Sequence, residues 1–249
     1  MSPSSPDLLQ LGVTGYRFTR GGESRQTDWP ARLAPPAASS LIEALASLKL
    51  PTAARRSKLA IELDDAWLRY QLIRMPAALR KPAERAAYVA AMFREVFGIE
   101  CGPQAPWQVA CEPAAFGEPQ LAMAMESSLL QALQQLPERS GHTLASLSGS
   151  FIATYNRHRL QMPATHGALA LASHGRICLG LWHAGRWQAL RSQPLAKNAN
   201  ALGALLAQLL AASPATPESP SGTLYLAGQL AHAQGLPSAW QTVRLEGAA

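Results

Sequence analysis

The second half of the chain contains three apolar segments joined by two short turns, and this feature most constrains the possible folds. The segments are Ala168–Ser173, Arg176–His183 and Trp187–Ser192. The dipeptides between them, His174-Gly175 and Ala184-Gly185, suit two-residue hairpin turns because glycine adopts positive φ angles without strain. The sequence therefore predicts a meander of three antiparallel strands.

A helix and two more strands are predicted after this meander. The helical segment is Asn198–Ala212, and the strands are Thr223–Ala227 and Trp240–Leu245. A loop with three prolines, Pro214–Pro220, follows the helix, and a turn with a short helix is predicted over Gly228–Leu236. A meander of strands followed by a helix is the organisation of a ribonuclease-H-like lobe.

The first half of the chain alternates strands and helices in a similar order. Predicted strands are two within residues 8–20 and one each at Lys58–Leu63, Trp67–Met75, Trp107–Cys111, Gln120–Met125 and Thr143–Leu147. Predicted helices are Leu41–Leu50, Pro82–Phe97, Glu126–Leu136 and Phe151–His158. Residues 21–39 are predicted to be a loop because they contain Gly21-Gly22 and three prolines. We therefore predict an α/β protein of two lobes, residues 1–140 and 141–249.

Charge and composition narrow the classes of partner. Charged residues make up 15% of the chain, below the roughly 25% of typical globular domains. Two explanations stay open: partners cover part of the surface, or the composition is simply rich in alanine. The net charge is +6, but the basic residues are scattered rather than gathered in runs, which argues against a nucleic-acid partner.

Cysteine usage and the absence of targeting signals predict a cytoplasmic protein. The three cysteines, Cys101, Cys111 and Cys178, form no CxxC pair, so we predict neither a disulfide framework nor a zinc site. The N-terminal segment lacks the basic and apolar regions of a signal peptide. No run of about eighteen apolar residues is present. We expect association with the inner face of an inner membrane only through partners.

Three local patterns are candidates for chemistry. Asp64-Asp65 could bind a metal, but a turn between two strands explains the pair better. Gly12-Val13-Thr14-Gly15 could hold a phosphate through backbone amides, although a plain hairpin turn is the simpler interpretation. Four histidines are spaced by eight, eight and nine residues, which matches no metal motif, so no metal ligand is predicted. They are His158, His166, His174 and His183.

Five segments together resemble one protein superfamily. They are the opening LQLGVTGYRFTR, the strand pair LAIELDDAWLRYQLIRMP, the helix end MFREVFGIE, the three strands at 168–192 and the segment GTLYLAGQLAHAQGLP at 222–237. The sequence resembles the actin, sugar-kinase and heat-shock-protein-seventy superfamily, whose members have two ribonuclease-H-like lobes in tandem. It is particularly similar to the type IV pilus and type II secretion branch, which includes PilM and the cytoplasmic part of GspL.

The resemblance implies a nucleotide site, should a nucleotide bind, at Gly12, Thr14, Gly15 and Gly228. Enzymes of this superfamily need carboxylates at the phosphate loops to hold magnesium and to orient water. The resemblance implies an aspartate two residues before the first glycine, where this chain has Gln10. The second loop, Ala172–Gly175, has no carboxylate either, and no aspartate follows residue 65. We therefore predict a degenerate nucleotide site, no cofactor and no enzymatic activity.

These observations favour a non-catalytic scaffold or adaptor of a type IV pilus or type II secretion-like assembly. The expected partners are an inner-membrane component, the assembly ATPase, or both. A partner surface is predicted on residues of mixed aromatic and basic character, namely Arg69, Tyr70, Arg74, Tyr16 and Phe18. Two alternatives stay open: a nucleotide-binding actin-like ATPase with rearranged ligands, and a basic nucleic-acid-associated protein.

Overall fold

The computed structural model describes residues 5–35, 37–52, 57–113, 117–162, 165–195, 201–213, 221–230 and 235–245. The strands are β1 (Asp7–Leu11), β2 (Gly15–Arg20), β3 (Glu23–Asp28), β4 (Lys58–Leu63), β5 (Arg69–Arg74), β6 (Trp107–Cys111), β7 (Pro119–Glu126), β8 (Thr143–Gly149), β9 (His166–Ser173), β10 (Arg176–His183), β11 (Arg186–Pro194), β12 (Gly222–Gly228) and β13 (Trp240–Arg244). The α-helices are α1 (Ser39–Ser47), α2 (Pro82–Phe97), α3 (Ser127–Arg139), α4 (Ser150–His158) and α5 (Ala201–Ala212). The predicted α/β class is confirmed.

The tertiary contacts divide the chain into two compact units. The first contains the described residues of Met1–Leu68, Gln104–Gln108 and Met125–Ala153. The second contains those of Arg69–Pro103, Val109–Ala124 and Thr154–Ala249. A single division after residue 140 stays a prediction. Strand β8, which follows that residue, pairs with β4 of the first unit.

Each unit contains a five-stranded sheet, and the two sheets have the same strand order. The first sheet has the order β3-β2-β1-β4-β8, and the second has the order β11-β10-β9-β12-β13. In both, the first three strands along the chain pair antiparallel and the last two join in parallel. The meander predicted for the second half is therefore present twice. Strands β5, β7 and β6 form a third, smaller sheet.

The two hairpin turns predicted in the second sheet are confirmed. His174 and Gly175 have φ angles of 48° and 80°, and Ala184 and Gly185 have φ angles of 49° and 75°. Positive φ at both central residues is the conformation of the type I′ turn, whose twist matches that of the flanking strands. The glycines adopt it freely, while the histidine and the alanine are held in it by the hairpin.

Strand β3 was predicted as part of a loop, and that prediction is wrong for residues 23–28. Its sequence, ESRQTD, shows no apolar alternation, and five of its six residues are exposed. The strand forms because its backbone pairs with β2 over its whole length, from Gly15 opposite Asp28 to Arg20 opposite Glu23. A solvent-facing edge strand needs no buried side chains, so hydrophobic periodicity could not reveal it.

Apolar side chains cover both faces of the second sheet. Alternate residues of a strand point to opposite faces. One face packs against α5 through Ala168, Ala170, Ala172, Leu205, Leu206 and Leu209. On the other face, Trp182 stacks on Tyr225 with ring centroids 5.8 Å apart, and Tyr155 meets Trp182 at 5.9 Å. The central strands of this sheet are therefore buried on both sides.

The first sheet is buried in an alternating pattern instead. Along β1, Asp7, Leu9 and Leu11 are buried, while Leu8 and Gln10 are half-buried. Helices α1 and α3 contribute buried leucines to the same unit. Helix α3 runs three residues beyond its predicted end and contains Pro137 in its last turn.

Two predictions fall outside the described residues: the loop at Pro214–Pro220, and residues 231–234 of the short helix after Gly228. The first residues of the helix predicted at Asn198–Ala212 also lie there. Among the described helices, none combines the length and hydrophobicity that crossing a membrane requires.

Candidate functional site

The β1–β2 turn is closed by hydrogen bonds within the first unit. The N–H of Gly12 donates to the carbonyl of Gly15 at 2.8 Å, and the backbone N–H of Trp29 donates to the carbonyl of Thr14 at 2.9 Å. The indole N–H of Trp29 donates to the carbonyl of Gly12 at 2.8 Å. A Cβ at Gly15 would collide with the backbone of β3 at Thr27. These contacts explain both glycines as parts of a hairpin, and the Gly12 amide is already engaged.

Gln10 stands where the resemblance implies an aspartate, and it faces a carboxylate on the neighbouring strand. Its Nε2 donates to Oε2 of Glu62 at 2.9 Å, because the parallel register sets the two residues side by side on β1 and β4. Glu62 is 9% exposed. Sequence reasoning missed this residue, although a lone acid inside the apolar strand KLAIEL was a signal for it.

The two aspartates after β4 bind nearby backbone groups. Oδ1 of Asp64 accepts a hydrogen bond from the N–H of Ala66 at 2.9 Å. Both carboxylate oxygens of Asp65 accept from the N–H of Phe151 at the start of α4, at 3.2 and 3.0 Å. Both side chains are buried. The pair therefore makes a turn, as the sequence favoured, and also anchors the beginning of a helix.

Gly228 ends β12 in the second unit, where strand β9 passes close to it. Its φ angle is 69°, in the left-handed region that residues other than glycine rarely adopt. A Cβ would also collide with the carbonyl of Ala172. That carbonyl accepts a hydrogen bond from the N–H of Gln229 at 2.9 Å. The close backbone approach explains this glycine, and a role in holding a nucleotide stays a prediction.

The β9–β10 turn is the second loop named by the resemblance. Its polar side chains are those of Ser173 and His174, with Oγ and Nδ1 lying 2.8 Å apart. Magnesium at a phosphate site is held mainly by carboxylate and water oxygens. A hydroxyl and an imidazole do not supply that ligand set.

The residues predicted to bind a partner are divided between the two units. Tyr16 and Phe18 lie on β2 in the first unit. Phe18 is buried, and Tyr16 is half-buried against Trp29, with ring centroids 5.0 Å apart. Their side chains therefore belong mainly to the packing of the hairpin.

The other three predicted partner residues, Arg69, Tyr70 and Arg74, lie on β5 in the second unit. Tyr70 is 4% exposed, so it is part of the interior. Arg74 is exposed and donates a hydrogen bond to the carbonyl of Gly117 at 3.3 Å. Arg69 is half-buried. The two arginines are thus the members of this group that a partner can reach.

A buried ionic cluster in the first unit was not foreseen. Asp7 accepts from Nε of Arg20 at 2.8 Å, and its Oδ2 lies 3.1 Å from Nε2 of His142. Nδ1 of His142 lies 2.9 Å from Oγ of Ser140. The residue types match a nucleophilic triad, but the imidazole is fully buried and the guanidinium covers the carboxylate. We therefore assign the cluster to structure: it joins β1 and β2 to the end of α3.

The structure brings together two of the four histidines considered in the sequence. His166 and His183 are directly opposite across β9 and β10, and their ring centroids are 5.5 Å apart. Within the described ranges, no group of three or more histidine, cysteine, aspartate or glutamate side chains could hold a metal ion.

Comparison with known proteins identifies the fold. No family model matches the sequence, and no similar curated protein is found. The structure is similar to a protein of Bacteroides thetaiotaomicron with an actin-like ATPase fold and unknown function, at a TM-score of 0.58 and 12% identity. That match covers 91% of this chain and 82% of the other. The chain therefore has the actin-like fold.

Two further solved structures share this fold. One is the cytoplasmic domain of EpsL, an inner membrane component of the type II secretion system of Vibrio cholerae, with a TM-score of 0.52, 10% identity, and coverage of 96% of this chain and 90% of that domain. The other comes from the PilM–PilN type IV pilus biogenesis complex, with a TM-score of 0.54, 14% identity, and coverage of 91% and 82%. The predicted resemblance to these actin-like domains is confirmed at the level of the fold.

Proposed function

We propose that this chain is a non-catalytic scaffold of a type IV pilus or type II secretion-like assembly, and that it binds the cytoplasmic segment of an inner-membrane component. The observation that carries the proposal is the likeness to the EpsL cytoplasmic domain over 96% of the chain. The likeness to a chain of the PilM–PilN complex supports the same class of function. A cytoplasmic location and a second contact with the assembly ATPase are parts of this proposal.

The candidate nucleotide positions support a role without catalysis. In the first unit, the amide of Gly12 is bonded within its own turn, and Gln10 replaces the implied aspartate. In the second unit, the turn at Ala172–Gly175 has no carboxylate. Phosphoryl transfer depends on metal ions and an oriented water, and these positions lack the ligands that such chemistry uses.

Strand β5 is the best candidate for the partner surface. It is an outer strand of the three-stranded sheet and also packs against β11 of the same unit. Its side chains are therefore what a partner can meet, and exposed Arg74 and half-buried Arg69 give them positive charge. Exposed basic side chains attract acidic partner segments and help to fix how the partner docks. An acidic or amphipathic segment is the complement of this surface.

The test is a binding measurement with the cytoplasmic tail of an inner-membrane pilus or secretion component from the same organism. Reversal of both charges, Arg69→Glu with Arg74→Glu, should weaken binding by about tenfold, equivalent to about 1.4 kcal/mol. Both residues lie outside the buried core, so the melting temperature should change little. The matched control is Arg25→Glu on the exposed β3, which should bind as the unchanged chain does. Equal binding by the doubly reversed variant would show that the partner surface lies elsewhere.

A nucleotide-binding ATPase with rearranged ligands is the second candidate, and Glu62 is the observation that favours it. Its carboxylate lies beside position 10, where the resemblance implies an acid. If this candidate is right, magnesium-dependent phosphate release from ATP will exceed a blank and will be lost in Glu62→Gln. The scaffold proposal expects no such release.

A further inference from the structure

We propose that His166 and His183 together bind a divalent transition-metal ion, such as Zn²⁺ or Ni²⁺, at one end of the second sheet. Imidazole nitrogens are good ligands for these ions. The remaining coordination positions are left to water molecules. The site is separate from the positions discussed for a nucleotide.

The register of β9 and β10 brings the two rings together. His166 is directly opposite His183. The N–H of Ala184 donates to the carbonyl of Thr165 at 2.7 Å, so the adjacent 166–183 pair is of the non-hydrogen-bonded type, in which side chains lie closer. The ring centroids are 5.5 Å apart and the planes are 81° from parallel. One ion bonded to a nitrogen of each ring, at about 2.0–2.1 Å, can bridge rings at this separation.

Both imidazoles have features suited to metal binding. Within the described part of the chain, Nδ1 of His183 is buried and has no hydrogen-bond partner, which is uncommon for a buried polar atom. The ring of His166 makes a hydrogen bond to the backbone of Ser221. Metal-binding histidines usually have such a backbone bond, because it fixes the ring and leaves the other nitrogen for the ion.

A polar cavity adjoins His166 but not His183, so water ligands would reach the ion from the His166 side. Its volume is about 480 Å³, and His166 lines it together with four hydroxyl side chains. These are Thr165, Ser221, Thr223 and Ser238. Polar cavities of this size hold ordered water. Water in this cavity can fill the coordination positions of the ion that the two histidines leave open.

The pair lies at the opposite end of the sheet from Gly228. His166 begins β9, whereas Gly228 at the end of β12 is opposite Ala172, near the end of β9. The side chains at 166 and 183 continue the face that packs against α5, by the alternation of the strands. The sequence spacing could not reveal this pair, since only the hairpin sets its two members across from each other.

The test is calorimetric titration of the tag-free chain with ZnCl₂ at pH 7.5. We expect one ion bound per chain, and at least about tenfold weaker binding in His166→Gln and in His183→Gln, because even changes to supporting residues commonly cost about tenfold. The matched control is His174→Asn, which removes an imidazole from the same sheet and keeps a residue that tolerates positive φ. Binding of no ion by the unchanged chain, or equal loss in the control, would overturn the proposal.

A second measurement needs no change to the two histidines. Trp240 lies 5.3 Å from the ring of His166, so Cu²⁺ at the site should quench its fluorescence. Trp240→Phe should remove that part of the quenching. On the unchanged chain, Zn²⁺ should also shift the imidazole ¹⁵N resonances of His166 and His183. Unshifted resonances at saturating Zn²⁺ would contradict the site even if both glutamine variants failed to fold.

Discussion

The two five-stranded sheets have the same strand order but are buried differently. In the first sheet, β1 alternates between buried and half-buried residues. In the second, the equivalent strand β9 has six consecutive buried residues between half-buried ends. One topology therefore accommodates a sheet with one strongly buried face and a sheet buried on both faces, and the side chains alone make the difference.

The sheets also differ in where charge is placed. Buried acids occur in the first unit, where Asp7, Glu62, Asp64 and Asp65 all have polar partners. The strands β9 to β13 contain no acidic residue. A buried carboxylate is tolerated when hydrogen bonds replace its water. The first unit therefore uses acids to join its elements, whereas the second depends on apolar packing.

Matched leucine truncations in β1 and β9 give the largest expected effect. Leu169 is fully buried, so Leu169→Ala should cost about 3 kcal/mol by lost burial and the cavity left behind. Leu8 is half-buried on the equivalent strand, and Leu8→Ala should cost about 1 kcal/mol. Urea unfolding of both variants measures the difference. Equal costs would mean that the two sheets are not buried differently in solution.

Substitution of two glycines with positive φ tests a closely packed position in the second sheet against an open position in the first. Gly228→Ala adds a Cβ that collides with β9 as well as backbone strain, so we expect a loss of about 3 kcal/mol. Gly21 has a φ of 58°, and no atom of the described residues lies within 4 Å of the place its Cβ would take, so Gly21→Ala should lose only about 1 kcal/mol. Thermal unfolding measures both. A loss of stability in Gly228→Ala as small as that in Gly21→Ala would show that β9 and β12 can move apart at little cost in free energy.

The smallest expected effect is a pH dependence from the second sheet. Burial lowers the pKa of His166, whereas the unfolded chain titrates near about 6.5. As the pH falls, the unfolded chain binds the proton before the folded chain does. The stability that this histidine contributes above about pH 6.5 is therefore lost as the pH falls toward its lower pKa in the folded state. Urea midpoints at pH 7.5 and 5.5 should differ more for the unchanged chain than for His166→Gln. An equal difference in both would assign the dependence to other groups.

Local backbone and polarity preferences explain the helix limits, turns and buried strands that the sequence predicted. Helix α2 has Pro82 in its first turn and ends at Gly98, whose φ is 68°, and both residues act through their own backbone geometry. The hairpin turns at 174–175 and 184–185 were predictable for the same reason. The apolar runs of the second sheet likewise predicted buried strands, because burial on both faces requires continuous apolar sequence.

Long-range pairing explains what could not be read in advance. Strand β3 has no hydrophobic pattern and exists because β2 offers it an edge. The cluster of Asp7, Arg20 and His142 joins residues 135 positions apart, and no local signal links them. Gln10 and Glu62 meet for the same reason, through the parallel register of β1 and β4.

The sequence by itself determined the α/β class, the hairpin turns, the limits of most elements and the lack of acids in the second sheet. Each of these depends on the conformational preferences or polarity of neighbouring residues. Only the tertiary structure decided that β3 completes a three-stranded meander in the first unit, and that His166 faces His183. Strand order and register are set by hydrogen bonds between segments that are distant in the chain. The residues of one segment alone therefore do not predict its partner.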